Sequence, residues 1–384
     1  MLTKYIYFEN FSKKKNSKKI RENLRKLLDE NNSVIGSLKV NYKDNISKKL
    51  FGKLKKYRNI QLIGMGGSIL GSKAIYNFLK HKIKKNFQFF DNLISTVPNS
   101  DNKKKLNLIV SKSGNTVETI INSNVLIKKT NTNIFLTGNR NSYLINLAKK
   151  LRSDVIFHND FIGGRYSVLS EVGMLPAELM GFDKKKFRRF NSLIKNKNFL
   201  NSLVANVSNT IALSNQKKFN SIILNYDERS LDLFHWYQQL IAESLGKHKK
   251  GILPIISLLP RDNHSVMQLY LDGFRNNFFT FFYVKDEIKN KRYDTNFTST
   301  KSKFIKKSLS EIREAKFFAT KKVFKKKKIP FRSFYIKKRN EESLGELFTF
   351  FILETILLGM AMKVNPYNQP SVELIKKETK NYFK

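Results

Sequence analysis

Glycine and hydroxyl side chains are concentrated in two short segments, Gly64-Met65-Gly66-Gly67-Ser68 and Ser111-Lys112-Ser113-Gly114-Asn115-Thr116, and these residue types can seat a phosphate. Each segment sits where a short apolar run gives way to a helical pattern, so each is expected to present backbone N–H groups and hydroxyls at a helix N-terminus. The nucleotide fingerprints fail on spacing. Ile69 stands where a dinucleotide loop after Gly64 and Gly66 needs its third glycine, and Ser72 stands where a Walker loop built on Gly66 and Gly71 needs lysine. A simpler phosphate ester is favoured as the ligand. At any single position the same groups would serve a tight turn or a helix cap equally well, so the signal lies in the pair of loops.

Four later segments carry chemistry. Gly163-Gly164-Arg165-Tyr166-Ser167 sets an arginine on a glycine hinge before a helical pattern, where a guanidinium either meets an anion or faces solvent. Trp236, Leu240 and Glu243 recur at i, i+4 and i+7, which puts the Glu243 carboxylate on the apolar side of a helix that Gly246 ends. A carboxylate in apolar surroundings suits a general base for a carbon acid; a glutamate pointing outward at the stripe's edge is the alternative. His264, in Arg261-Asp262-Asn263-His264-Ser265, opens a helix and is a candidate acid or base, or an exposed capping-region residue. Finally, Asn365 to Lys376 is a proline-bracketed turn leading into a last helix, with Gln369 as a possible phosphate donor and Lys376 inside the helix. Five histidines and no cysteine offer no metal-ligand spacing, so neither a metal nor a cofactor is expected.

The elements that must hold these residues alternate strand and helix from residue 59 onward, the pattern of an α/β fold with a mainly parallel sheet flanked by helices. In the first half the strands are Asn59 to Ile63, Leu106 to Val110, Asn133 to Leu136 and Val155 to Phe157. The helices between and after them are Leu70 to Leu79, Val117 to Lys128, Ser142 to Leu151 and Ser167 to Met180. A Lys- and Asn-rich segment, Asp183 to Asn201, reads as helical. In the second half the strands are Ser221 to Leu224, Ile252 to Leu258, Phe278 to Val284 and Phe331 to Ile336, with helices Leu231 to Leu245, His264 to Leu271, Lys303 to Lys322 and Ser343 to Lys363. A terminal helix starts at Ser371. Both glycine-rich loops then fall at the carboxyl ends of parallel strands, where open sheets bind ligands.

Bulk composition is consistent with a folded, two-domain, cytoplasmic protein. At 384 residues and 41% hydrophobic content the chain can bury sizeable cores, and Met1 to Ile20 has no apolar run of the signal-peptide kind. The apolar stretch Leu347 to Val364 carries Glu354 near its centre and reads as a buried helix, with no membrane partner expected. The net charge of +43 is spread along a chain rich in Lys, Asn, Ile and Phe, as AT-rich coding would produce. The densest run, Lys321 to Lys328 with Phe324 inside it, is the best nucleic-acid candidate, but no recognition signature accompanies it and no specific nucleic acid is expected.

Taken in order, these segments resemble the phosphoglucose isomerase family from about residue 60 to 380. Ile63 to Ser68 is similar to the family's IGxGGS, Ser111 to Thr116 to its SKTxTT and Gly163 to Pro176 to its GGRxS segment. Gln239 to Lys247 reads QLIAESLGK, His264 lies in a DxHS-like element, and Gln369 to Lys376 resembles the QxGVELGK ending. The resemblance implies two αβα domains of the sugar isomerase (SIS) type. The corresponding division is an N-terminal helical extension over 1–50, a first domain over 51–185, a second over 186–342, and C-terminal helices over 343–384 that complete the site.

It also implies interconversion of D-glucose 6-phosphate and D-fructose 6-phosphate through an enediolate, without metal or cofactor, a step of glycolysis and gluconeogenesis. By this resemblance Glu243 is the base and Arg165 stabilises the intermediate's charge, while His264 and Lys376 assist ring opening. Gly67, Ser68, Ser111, Lys112, Ser113, Thr116 and Gln369 hold the phosphate. A homodimer is implied, with His264 reaching into the partner's site. Gly114, Asn115, Asn263, Asn368, Ser371 and Ile375 depart from the usual pattern, and Ile375 adds bulk beside Lys376. Two other readings share the same loops: a SIS-type sugar-phosphate sensor without catalysis, and an isomerase that also accepts mannose 6-phosphate.

Overall fold

A computed structural model describes residues 2–11, 17–30, 32–96, 104–285 and 307–382. Among these residues ten strands form two sheets. In chain order they are β1 Ile6–Glu9, β2 Asn59–Gly64, β3 Asn86–Phe90, β4 Lys105–Val110, β5 Thr132–Thr137, β6 Asp154–Phe157, β7 Asn220–Asn225, β8 Leu253–Leu258, β9 Asn277–Val284 and β10 Phe331–Ile336. The first sheet runs β3-β2-β4-β5-β6, all parallel. The second runs β1-β10-β9-β7-β8, parallel except for β1 at its edge.

Successive residues such as Leu62, Ile63, Leu108 and Ile109 are all buried, so both faces of the first sheet are covered, as parallel sheets require. Among the parallel strands of each sheet the chain begins in an inner strand, steps to one side and returns to the other. Topological switch points therefore lie between β2 and β4 and between β7 and β9. Loops leaving the carboxyl ends of two such neighbours diverge and open a crevice. The two glycine-rich segments are the loops that follow β2 and β4.

Periodicity located Leu70–Leu79, Leu231–Leu245 and β10 at their observed limits. Other elements departed for local reasons. The helix expected over Ser167 to Met180 is a 3-10 turn, Gly164–Leu169, followed by an α-helix, Glu171–Leu179. Ser170 is extended between them, and Gly173 packs so closely on Val168 that a Cβ there would lie 2.0 Å from the Val168 carbonyl oxygen. The helix expected from His264 begins only at Met267, because Arg261–His264 is a separate 3-10 turn held by the Asp262 carboxylate, which accepts from the Leu258 N–H at 2.8 Å. Asp183 to Asn201 breaks into two four-residue turns before Asn196 caps a long helix, Lys197–Asn215. The basic helix is Leu309–Lys326; its expected start at Lys303 lies outside the described residues.

The N-terminal region is helical over Lys18–Asp29, Ser33–Ser37 and Lys48–Leu54, but it opens with β1, which joins the second sheet antiparallel to β10. The extension is therefore part strand. Helix Glu341–Met362 has the length and hydropathy to cross a membrane, yet 89% of its most apolar window is buried within the protein. Its Glu354 is fully enclosed. It pairs with Arg332 of β10, accepts from Asn206 Nδ2 at 2.6 Å, and accepts from the Tyr237 hydroxyl at 3.2 Å. Arg332 also donates to Thr280 of β9 at 2.9 Å and to the Tyr237 hydroxyl at 3.0 Å. A buried ion pair is tolerated only when its remaining donors and acceptors are met, and here they tie the Leu231–Leu245 helix to the sheet beneath it.

Glu346 on the same core helix is held less well. Burial, opposed by the Thr3 hydroxyl at 2.6 Å and by the Arg189 charge, pushes its carboxyl up to about 6 from 4.5. The unfolded chain loses this proton at lower pH than the folded chain, so ionisation penalises the fold fully above about pH 6 and not at all below about 4.5. Glu346→Gln, which keeps an acceptor for Thr3, should therefore raise the unfolding free energy by roughly 2 kcal/mol at pH 7. The gain should vanish at pH 4, as urea unfolding at the two pH values will read out.

Candidate active site

A cleft of about 580 Å³ opens at the switch point of the first sheet and is closed on its far side by the Leu231–Leu245 helix and the turn before the last helix. Gly67, Ser68, Lys112, Ser113, Thr116, Arg165, Glu243, Gln369 and Lys376 all line it. Ser111 and His264 do not. The Ser111 side chain is buried, and its hydroxyl meets Thr116 Oγ1 at 2.9 Å and accepts from the Gly114 N–H at 3.2 Å, so it shapes the loop from beneath. His264 is exposed on its 3-10 turn and takes no part in this chain's own cleft.

The loop after β2 curls into a 3-10 turn, Gly66–Ser68, in which the Ser68 and Ile69 N–H groups are spent on Met65 and Gly66 carbonyls. Ser68 is left with its hydroxyl to offer. Gly67 lies flat against the Gly163–Arg165 hinge: a Cβ on it would fall 2.1 Å from the Gly164 carbonyl carbon. The Ser167 hydroxyl donates to Gly164 O at 2.8 Å and approaches Gly67 O at 3.4 Å, tying the two loops together.

In the loop after β4, Gly114 adopts φ +65°, and a Cβ there would strike Ser142 Oγ at 2.2 Å. Helix Val117–Leu126 follows, and Thr116, at its N-cap position, makes no side-chain capping bond. Its hydroxyl is engaged with Ser111 at the cleft wall. Asn115 instead accepts from the Tyr143 N–H at 2.9 Å at the start of the next helix, a structural duty. Half-buried Lys112 has its ammonium held below the usual lysine range, first by burial and then by the Arg165 charge, with Asp160 pulling the other way. An arriving anion would relieve both effects.

Arg165 is 2% exposed, and its N–H groups are committed. Nε donates to Ser244 Oγ at 2.8 Å, and one terminal nitrogen donates to Glu243 Oε2 at 3.2 Å and Gln369 Oε1 at 2.5 Å. The other donates to the carbonyls of Pro366 at 2.7 Å and Asn368 at 3.0 Å. Gln369 thus spends its oxygen on Arg165, leaving its amide nitrogen as the donor it can offer a ligand. Glu243 is not in the apolar setting expected from its stripe. Its second oxygen accepts from Gln239 Nε2 at 2.8 Å, so a guanidinium and an amide grip the carboxylate from two sides at a quarter-exposed position.

Gln239 was missed by sequence reasoning, although its place one helical turn before Glu243 was a usable signal. Lys247, one turn after, was also missed. Its ammonium bridges the Ser244 and Asn365 carbonyls at 2.8 and 2.7 Å, joining the end of the Glu243 helix to the turn that cages Arg165. Burial, then the Arg165 charge, pushes it down to about 8, with Glu243 opposing. Lys376 sits on the exposed helix Pro370–Asn381 and pairs with Glu373 at 2.7 Å.

The cleft therefore has two chemical ends. Hydroxyls, Lys112 and a helix N-terminus gather at one, suited to a phosphate dianion. A fixed carboxylate beside a guanidinium stands at the other, suited to moving a proton on a carbon next to a carbonyl and to holding the negative charge that results.

A family model described as phosphoglucose isomerase matches residues 12–253. The glucose-6-phosphate isomerase of Methanocaldococcus jannaschii is 32% identical over 372 residues, which cover 92% of this chain and 90% of that protein. That of Mycoplasmopsis pulmonis is 32% identical over 351 residues, covering 84% and 81%. Among solved structures, a hypothetical protein from Thermus thermophilus superposes with a TM-score of 0.81 at 22% identity, covering 95% of this chain and 94% of that one. A glucose-6-phosphate isomerase from Chlamydia trachomatis gives a TM-score of 0.71 at 17% identity, covering 91% and 77%.

Because Gly67 is pressed against backbone, Gly67→Ala must part the two loops and displace Arg165. Overpacking of this kind costs about 1–3 kcal/mol, and turnover should fall by more than about tenfold. A Gly67→Ala crystal structure with the loops unmoved, together with an unchanged rate, would contradict the assignment.

Proposed function

The chain belongs to the phosphoglucose isomerase family and is a glucose-6-phosphate isomerase, and we propose that Glu243 carries the proton it moves. In this reading the phosphate of the open-chain sugar rests on Ser68, Lys112, Ser113, Thr116 and the Gln369 amide, with Gly67 giving backbone room and Ser111 bracing the loop. Glu243 takes the C2 proton of glucose 6-phosphate, the C1 carbonyl oxygen takes up the negative charge of the enediolate, the C2 hydroxyl proton passes to the neighbouring O1, and the same carboxylate returns its proton to C1 to leave the C2 ketone and C1 hydroxyl of fructose 6-phosphate. Arg165 stabilises the enediolate by its fixed charge, releasing a terminal N–H from Gln369 or Glu243 as the oxygen arrives. No cofactor takes part.

Ring opening needs an acid and a base at the hemiacetal. Lys376 at the cleft mouth can supply one, and His264 of the partner subunit the other. A homodimer with His264 shared across the interface is supported by that histidine's exposure and its absence from its own chain's cleft. We place the enzyme in the cytoplasm.

The observation that carries this reading is the Glu243 carboxylate, gripped by Arg165 and Gln239 within the cleft that also holds the phosphate loops. Glu243→Gln should lower kcat by about 10³-fold or more and abolish exchange of the C2 proton with deuterated solvent in proton NMR. Affinity for glucitol 6-phosphate, which has no carbonyl, should stay within a few-fold. Retained exchange would remove Glu243 from the mechanism, whereas loss of folding in the variant would return it to a structural role.

A further inference from the structure

The basic run that the isomerase reaction does not use forms one wall of a second groove, of about 560 Å³, which shares no residue with the cleft around Glu243. Helix Leu309–Lys326 supplies Phe318, Lys321, Lys322 and Lys325, β1 supplies Tyr7, and β10 supplies Tyr335. We propose that this groove binds single-stranded nucleic acid without sequence preference, lysines following the phosphates and aromatic rings stacking on unpaired bases.

Two independent features support that occupant. The first is charge. From Ala315 to Lys328 the chain has seven lysines and no acidic residue. The acids that do border the groove are already satisfied: Glu9 pairs with Lys321 at 2.7 Å, and Glu314 accepts from the Tyr335 hydroxyl at 2.5 Å. Lys322 and Lys325 are exposed and remain to meet an anion.

The second feature is the aromatic lining. Phe318 is 50% exposed and Tyr7 47% exposed, an unusual setting for such rings in a surface of lysines. Phe318 is not loose: it stacks on Tyr335 with centroids 6.1 Å apart and 28° between planes, and Lys321 lies 5.9 Å from its centroid. A preordered ring beside a line of cations is how sequence-tolerant single-strand sites work, because every base has a face to stack and every nucleotide a charge. A duplex hides its base faces. An anionic membrane would use the charge but has no need of a fixed ring stack set within a groove.

The full-length protein is tested by fluorescence anisotropy with a fluorescein-labelled oligothymidylate of about 15 nucleotides, a length suited to sites of this kind. Binding should weaken steeply as NaCl rises from about 50 to 200 mM. Phe318→Ala should weaken it by about tenfold, and Lys322→Glu with Lys325→Glu by more than that, with a flatter salt dependence. Both variants should retain the parent isomerase rate, which confirms their folding independently of the binding result. Undetectable binding at low salt would overturn the proposal. So would Phe318→Ala binding as tightly as the parent, or a duplex of equal length or phosphatidylserine vesicles binding as tightly and losing affinity through the same substitutions.

Discussion

A single buried guanidinium ties together the glycine hinge, the Glu243 helix and the C-terminal turn of the candidate site. Arg165 comes from the 3-10 turn Gly164–Leu169, takes Ser244 and Glu243 from the Leu231–Leu245 helix, and takes Pro366, Asn368 and Gln369 from the turn before the last helix. Removing a guanidinium from water is costly unless each N–H finds an acceptor and the charge a counter-charge, so these partners cannot drift independently. The close approach of Gly67 to Gly164, the Lys247 bridge and the Tyr166 hydroxyl bond to Pro366 O at 3.0 Å all keep that cage closed. Glu243 is thereby aimed as a consequence of where Arg165 must sit.

The two sheets divide the work in keeping with their topology. The first sheet's switch point supplies divergent loops of a kind suited to a phosphate, while the loop after β7 leads into the helix that bears Glu243. That helix can hold Glu243 at its far end because Trp236 and Tyr237 anchor it in the core. Tyr237 belongs to the Arg332 and Glu354 network, and Trp236 donates to the Arg165 carbonyl at 3.1 Å. Beyond the carboxyl ends of the second sheet, Asp227 and Arg339 pair at 2.7 Å, and Arg339 reaches the Phe78 carbonyl at 3.4 Å on the Leu70–Leu79 helix. One crevice is left open as a cleft, and the residues beyond the other join the second sheet to the helix after β2.

Segments of the cleft that are written in contiguous residues were legible in the sequence. The two loops, the arginine on its hinge and the glutamate on its helix are local patterns, and the strands flanking them are continuous apolar runs. Features created by long-range contact were not legible. β1 is four residues of mixed polarity that becomes a strand only by pairing with β10 more than three hundred positions away, and the bond between Arg165 and Gln369 spans 204 positions. The polar grip on Glu243 was hidden for a similar reason, since a stripe on one helix does not reveal a guanidinium 78 positions away. Ser111 and Asn115 show the same limit at short range: their residue types fit an anion loop, yet one braces the loop from below and the other holds the start of a neighbouring helix.

The dependence of the site on Arg165 is tested most directly by Arg165→Lys, which keeps a positive charge and loses the planar fork that reaches five acceptors. Steady-state kinetics with glucose 6-phosphate should show kcat reduced by about 10²–10³-fold, the scale of a lost transition-state charge contact, with KM changed far less. A lysine variant with kcat within a few-fold of the parent would contradict the account, because an ammonium cannot hold the helix, the hinge and the turn together.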